Sequence, residues 1–323
     1  MQSETIKCSS NKRTNSLMYQ KYRAEWAKAQ REDYLPKHPL HVDIELSDIC
    51  NLRCRMCIHG SNKVNKGSGF MDEKLAMKLI DECANMGVYS IKFNWRGEVT
   101  LNDFLPKAID YAKKKGILEV QINTNGLPWQ DDILVKCAES GIDRIIFSID
   151  GFSKETYESL RLGGDYGQLI GNVHTLLKWK KENRVSKPLI RVQMVRTKNN
   201  IHEELDYIKY WQGRVDDIRI SDVMDRGQGD GMRIEDQEKT GRKRCPQPFQ
   251  RLVVGRDGRV SPCCVDWYQE YIVGCAKADS LANIWNSDRM NHIRHIQNKC
   301  LHGEVSICRR CFVKESYVWK KCA

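Results

Sequence analysis

No run of about 18 apolar residues occurs anywhere in the chain, so no membrane-spanning helix is expected. No apolar segment of signal-peptide length follows Met1, so a cytoplasmic protein is expected rather than a secreted one. Cysteine, at 14 of 323 residues, falls short of the roughly 8–10% that marks a disulfide-built mini-protein. A chain of this length can bury an ample core without staples. In a reducing compartment, cysteines serve more often as metal ligands or catalytic groups than as disulfides. The net charge of +11 favours anionic partners. The interleaving of basic and aromatic residues typical of a nucleic-acid module is missing, so nucleic acid is not the expected partner.

Residues 1–39 are polar and charged and read as an N-terminal arm with a helix around Ser16–Arg31. A regular alternation follows. Val42–Leu46 has strand period, and Asp72–Met86 is an amphipathic helix stopped by Gly87. Tyr89, Ile91, Phe93 and Trp95 alternate as a second strand. Helices near Asp103–Lys115, Asp131–Ser140, Tyr166–Glu182 and Ile201–Trp211 then interleave with strands Leu118–Asn123, Ile145–Phe147, Leu189–Val195 and Val215–Val223. Six such units with near-continuous apolar strands predict a parallel sheet with right-handed crossovers, an open partial (β/α)6 barrel over residues 40–226. Sites in such sheets gather at the C-terminal strand ends. Residues 227–244, rich in glycine and charge, read as a linker, and residues 245–323 hold eight of the cysteines in a small β-hairpin/α domain.

Directly after the first strand comes Cys50-Asn-Leu-Arg-Cys54-Arg-Met-Cys57. Three thiolates gathered at a strand end are too few for a closed structural zinc site unless a residue such as His59 completes it. On a cubane iron–sulfur cluster they would leave one iron open for a chelating ligand. The C-x3-C-x2-C spacing resembles that of the radical SAM superfamily, and further motifs lie at the corresponding strand ends. Arg96-Gly97-Glu98 is similar to the Gly-Gly-Glu motif that receives the methionine amino group, with arginine in place of the first glycine. Thr124-Asn125-Gly126, Ser148-Ile149-Asp150-Gly151 and Gln193 follow on the next strands. Met56 stands where the family usually has an aromatic. The resemblance implies Cys50, Cys54 and Cys57 as ligands of a [4Fe-4S] cluster that binds S-adenosylmethionine. It implies Gly97, Glu98, Asn125, Ser148, Asp150 and Gln193 as contacts to that cofactor. It also implies reductive cleavage to a 5′-deoxyadenosyl radical, which abstracts hydrogen from substrate.

In the C-terminal segment, Cys245 and Cys263 flank a hairpin marked by Asp257-Gly258, and Cys308-Arg-Arg-Cys311 forms a knuckle. The four could hold zinc or a second cubane cluster. The arrangement resembles the SPASM/twitch extensions of radical SAM enzymes, which implies one auxiliary [4Fe-4S] cluster held by Cys245, Cys263, Cys308 and Cys311. Cys264 is an alternative to Cys263, although alternation along a strand lets only one of the two point inward. Cys83 and Cys137 lie on apolar helix faces and read as core, as Cys8 reads as structural. Cys275, Cys300 and Cys322 stay unassigned.

A fully ligated second cluster suits electron transfer. The layout resembles that of the twitch-type cyclitol dehydrogenases, which implies oxidation of a small sugar- or cyclitol-like substrate, with the auxiliary cluster taking the second electron. Arg191, Arg226 or Arg233 could position its hydroxyl. If Cys264 or Cys275 returned a hydrogen atom, the outcome would be epimerisation. Peptide modification is the alternative, less expected because the 49 residues before Cys50 show little strand pattern for a peptide-recognition domain. A non-catalytic metal- or RNA-binding protein is the remote one. The electron donor is expected to be a reductase, flavodoxin or ferredoxin.

Overall fold

The computed structural model describes residues 4–7, 16–31, 34–60, 68–128, 132–223 and 244–311. Cys8, Cys322, Arg226, Arg233 and all of the expected linker except Arg244 lie outside the described residues.

Six parallel strands form the barrel: β2 (His41–Ile44), β3 (Ser90–Lys92), β4 (Glu119–Thr124), β5 (Arg144–Ser148), β6 (Leu189–Arg196) and β7 (Asp217–Asp222). The crossover helices are α2 (Glu73–Met86), α3 (Leu105–Lys114), α4 (Ile133–Glu139), the pair α5 (Lys154–Leu160) and α6 (Tyr166–Glu182), and α7 (Glu204–Trp211). Local chemistry sets their ends. The Asp72 side chain accepts the Leu75 N–H at the start of α2, and Gly87 at φ +80° closes its end in the left-handed region that glycine adopts without strain. The expected strand Tyr89–Trp95 contracts to Ser90–Lys92, because after Phe93, whose N–H still donates to the Gln121 carbonyl at 3.1 Å, the backbone leaves the ladder to form the loop carrying Gly97 and Glu98.

Alternate strand residues divide cleanly between two environments. Val42, Ile44, Ile91, Val120, Ile122, Ile145, Phe147, Ile190, Val192, Ile218 and Ile220 join the helices in one apolar core. By the two-residue period, the opposite face lines the barrel interior with His41, Asp43, Lys92, Gln121, Asn123, Arg144, Arg191, Gln193, Asp217 and Arg219. Closed (β/α)8 barrels fill that space with Val, Ile and Leu. Here, Ile146 apart, it is polar, which suits a binding cavity.

The sheet extends beyond these six strands. An N-terminal strand, β1 (Glu4–Lys7), pairs antiparallel with β7 at one edge. At the other edge β8 (Arg251–Val254) pairs parallel with β2, in the register His41↔Arg251 to Ile44↔Val254. Then β9 (Arg259–Ser261) and β10 (Gly274–Cys275) continue antiparallel, giving ten strands in all. The hairpin signalled by Asp257-Gly258 therefore joins the sheet of the barrel. Helix α1 (Leu17–Lys28) closes the N-terminal end of the barrel in a second apolar cluster of Tyr22, Ala29, Leu40, Tyr89 and Phe249. The short helix α8 (Gln247–Gln250) leads into β8, and α9 (Leu281–Trp285), α10 (Asp288–Asn298) and α11 (Ser306–Arg309) complete the C-terminal segment. No helix among the described residues is long and apolar enough to cross a membrane.

Candidate active site

The loop after β2 carries Cys50, Cys54 and Cys57, and its backbone turns inward through local bonds. The Leu52 N–H donates to Cys50 Sγ at 3.4 Å, and the Cys57 N–H donates to the Cys54 carbonyl at 3.0 Å. Gly60 closes the turn, since a Cβ there would lie 2.1 Å from the Cys54 carbonyl oxygen. Burial, reinforced by the Glu98 carboxylate, pushes the Cys50 thiol up to about 12. Burial likewise raises Cys54 to about 11 against the opposing pull of Arg161. Such thiols stay protonated at neutral pH unless a metal displaces the proton, as thiolate ligation does. This donor set, one buried and two half-buried sulfurs on a single loop at a strand end, fits a cluster with an open iron.

Arg161, at the end of α5, was not signalled by any motif. Its Nε and Nη2 grip Asp150 Oδ2 at 2.8 and 2.6 Å, while Nη1 lies 3.7 Å from Cys54 Sγ. Asp150 is fully buried and also accepts the Val195 N–H at 2.7 Å. Thus the Asp150 carboxylate fixes a guanidinium beside the cysteine loop.

The Arg96-Gly97-Glu98 loop presses against the same segment. A Cβ on Gly97 would lie 2.4 Å from the Ser47 carbonyl and 2.6 Å from that of Ile49, so only glycine permits this approach. The Glu98 N–H donates to the Ile49 carbonyl at 2.8 Å. The Glu98 carboxylate accepts from Thr100 Oγ1 at 2.7 Å, Thr124 Oγ1 at 2.8 Å and the Asn125 N–H at 2.7 Å. Burial raises its pKa and these hydrogen bonds oppose the rise. Asn125 in turn donates to Asn51 Oδ1, within the cysteine loop, at 2.8 Å. Glu98 and Asn125 therefore knit three strand-end loops together. Ser148 and Gln193 stand opposite each other on β5 and β6, facing the interior, and the Ile149 N–H donates to the Gln193 carbonyl at 2.8 Å. Met56 packs, partly buried, against the apolar core.

The arginine that replaces glycine at position 96 has a clear role. Its guanidinium forms a two-pronged pair with Glu45 at 2.8 and 2.5 Å, donates to the Trp267 carbonyl at 3.1 Å and stacks over Trp95. Trp95 Nε1 donates to the Cys264 carbonyl at 2.9 Å. The loop that precedes Glu98 is thereby tied directly to the second cysteine segment.

In that segment Cys245 lies within electrostatic range of Cys311, Cys308 and Cys264, and Cys263 within range of Cys264, Cys245 and Cys308. Burial, then the neighbouring thiols, raises Cys245 and Cys263 well above the ordinary thiol value. Gln297, fully buried on α10, bridges two of them: its Oε1 accepts the Cys245 N–H at 3.1 Å and its Nε2 donates to Cys308 Sγ at 3.2 Å. Cys264 stands next to Cys263 and is half-buried like it, and Cys83 and Cys137 are core residues of α2 and α4. Among the described residues, no group of three or more His, Cys, Asp or Glu side chains is placed to hold a single metal ion.

Comparison with known proteins agrees with this geometry. Residues 44–186 match the model of the Radical SAM superfamily, and residues 245–312 match that of an iron–sulfur cluster-binding domain, SPASM. The chain belongs to the radical SAM superfamily. Within it, the second match makes it a SPASM-type member, whose cofactors are a SAM-binding [4Fe-4S] cluster, S-adenosylmethionine and auxiliary iron–sulfur clustering in the C-terminal segment. The chain is 27% identical over 314 residues to a tungsten-containing aldehyde ferredoxin oxidoreductase cofactor-modifying protein of Pyrococcus furiosus, covering 83% of this chain and 86% of the relative. It is 27% identical over 199 residues to a GTP 3′,8-cyclase of Limosilactobacillus fermentum, of whose length it spans 55% and which matches 58% of this chain. Among solved structures it is similar in fold to BtrN in complex with AdoMet and 2-DOIA, at 19% identity and TM-score 0.59 over 86% of this chain and 97% of that one. It is also similar to Streptococcus suis SuiB bound to S-adenosylmethionine, at 14% identity and TM-score 0.66 over 91% and 76% of the two chains.

Proposed function

We propose that this protein is a radical SAM oxidoreductase acting on a small sugar- or cyclitol-like substrate, with one auxiliary cluster held by Cys245, Cys263, Cys308 and Cys311. Cys50, Cys54 and Cys57 hold the cluster that binds S-adenosylmethionine, and Gly97, Glu98, Asn125, Ser148, Asp150 and Gln193 shape the cofactor pocket. When bound, the two clusters supply the electron for S-adenosylmethionine cleavage and an acceptor for the electron left on the substrate. The observation that carries this reading is the direct tie between the two cysteine segments, through Trp95 to Cys264 and Arg96 to Trp267. The protein's own groups do the rest. Glu98 and Asn125 hold the strand-end loops in register, Arg161 sets a positive charge beside Cys54, and the polar interior receives a hydrophilic molecule.

The catalytic unit is read as residues 40–226, with the cysteine-rich unit at 245–323, and a reductase, flavodoxin or ferredoxin as electron donor. A peptide substrate is the second reading. It is favoured by similarity to SuiB bound to its precursor peptide SuiA, at TM-score 0.60 and 18% identity.

The test uses anaerobically reconstituted protein with dithionite and S-adenosylmethionine. 5′-Deoxyadenosine is expected from the wild type and none from Cys54→Ala. No product from iron-loaded wild type would sink the radical reading. About 8 Fe per chain is expected for one auxiliary cubane cluster.

A further inference from the structure

One cross-strand row of the barrel interior carries two buried polar atoms with no hydrogen-bond partner among the described residues. Asn123 on β4 stands opposite Ile146 on β5, and Ile146 opposite Arg191 on β6. Asn123 Oδ1 and Arg191 Nε are both buried without a hydrogen-bond partner. Among the described residues the Arg191 guanidinium makes a single hydrogen bond, from Nη2 to Asp217 Oδ2 at 3.1 Å, although it carries five N–H donors. That carboxylate is shared, because Arg144 also donates to Asp217 Oδ2. Burial first, then repulsion from Arg144, lowers the pKa of Arg191 to about 10 against the attraction of Asp217, so the group stays charged at neutral pH.

The position of this row is informative. The next row toward the C-terminal strand ends contains Ser148 and Gln193, which we place in the cofactor pocket. Two residues along a strand span about 6.6 Å, and two strand spacings, from Asn123 to Arg191, span about 9.6 Å. The row crosses that span over the apolar side chain of Ile146 and borders the Ser148–Gln193 row on its C-terminal side.

We propose that Arg191 and Asn123 form a substrate subsite in the barrel interior, Arg191 binding an anionic end group, phosphate or carboxylate, and Asn123 accepting from a hydroxyl. The unpartnered Nε edge of a guanidinium matches the two oxygens of either anion. This assignment rests on the radical reading above and adds to it the chemical class of the substrate: an acidic polyol, held at the end remote from the reacting carbon.

The experiment is equilibrium dialysis of the full-length, anaerobically reconstituted protein with S-adenosylmethionine present and inorganic phosphate, malonate or glycerol 3-phosphate as probe. Saturable binding of phosphate or malonate is expected, and whichever binds names the anion. Arg191→Met should weaken it about tenfold or more, with iron content as the control for folding. Should Arg191→Met lose its iron, Arg191→Lys decides, since it keeps the charge but not the fork and should bind with intermediate affinity. Asn123→Ala should weaken glycerol 3-phosphate and leave inorganic phosphate unchanged. Equal affinity in wild type and the Arg191 variants, or no saturable binding of any probe to iron-loaded wild type, overturns the subsite. Iron-loaded wild type that binds phosphate through Arg191 yet makes no 5′-deoxyadenosine would instead overturn the radical reading and leave the subsite standing.

Discussion

Replacing Gly97 by alanine tests how closely the Glu98 loop must approach the cysteine loop. The added Cβ would sit 2.4 Å from the Ser47 carbonyl oxygen and 2.6 Å from that of Ile49. This is about 1 Å short of the ~3.5 Å at which carbon contacts become favourable. Both obstacles are backbone, so no side-chain rotation can relieve the clash. The Glu98 loop must therefore retreat by about 1 Å, lengthening the bond from the Glu98 N–H to the Ile49 carbonyl, now 2.8 Å. A misplacement of this size at reacting groups costs roughly 100-fold in rate. Single-turnover formation of 5′-deoxyadenosine by Gly97→Ala should fall by about two orders of magnitude, with weaker binding of S-adenosylmethionine. The iron-to-protein ratio, measured on the same sample, separates this from loss of the cluster. A variant with full iron and a rate within about threefold of wild type would show that the loops need not touch, refuting the reasoning.

Three further outcomes follow from buried charges and thiols. Arg161→Met leaves the fully buried Asp150 carboxylate without its guanidinium, and should cost roughly 3–5 kcal/mol in denaturant unfolding; a loss below about 1 kcal/mol would mean that water reaches Asp150 freely. Gln297→Leu removes the N–H donated to Cys308 Sγ, so the reduced, more negative auxiliary cluster loses support and its potential should fall by roughly tens of millivolts in a redox titration followed by electron paramagnetic resonance, an unchanged potential counting against Gln297. The third concerns acid stability. Burial lowers the pKa of His41, and although burial opposes it, His41 and Arg251 hold Asp43 below the usual carboxylate range. Both groups bind fewer protons folded than unfolded, so the stability they contribute is present above their unfolded values and is lost as pH falls. Thermal midpoints should therefore drop first below about pH 6.5 and again below about pH 4, and Asp43→Asn should flatten the second step.

Much of the barrel was legible because helices and parallel strands announce themselves by period. The expected helix Tyr166–Glu182 is the observed one, bounded by the Asp165 cap, and the Asp257-Gly258 turn does join two antiparallel strands. Pairing between distant strands was not legible. Nothing in the apolar run Leu252–Val254 says that it lies parallel to Val42–Ile44, since a strand's pattern reports its burial and not its neighbour. Strand β1 has four residues at a sheet edge, too short for a period to declare itself. At the site, cysteine spacing and glycine-bearing motifs pointed to loops that the fold brings together at one end of the sheet. Arg161, Glu45 and Gln297 were missed because the groups they meet, Asp150 and Cys54, Arg96, and Cys245 and Cys308, are brought near only by the folded chain. Arg96, which looked like a flaw in a motif, proves to be a tie between two segments.

The parallel pairing of β2 with β8 acts as a gauge. The strand that ends at the first cysteine loop and the strand that opens the second cysteine segment are neighbours in one ladder, about 4.8 Å apart, the spacing of hydrogen-bonded strands. The separation between the two cysteine segments is then a property of sheet geometry rather than of a hinge. Damage is shared in the same way. Iron lost from the second segment loosens the edge on which β2 rests, so the first cluster should feel the loss of the second before its own ligands are touched.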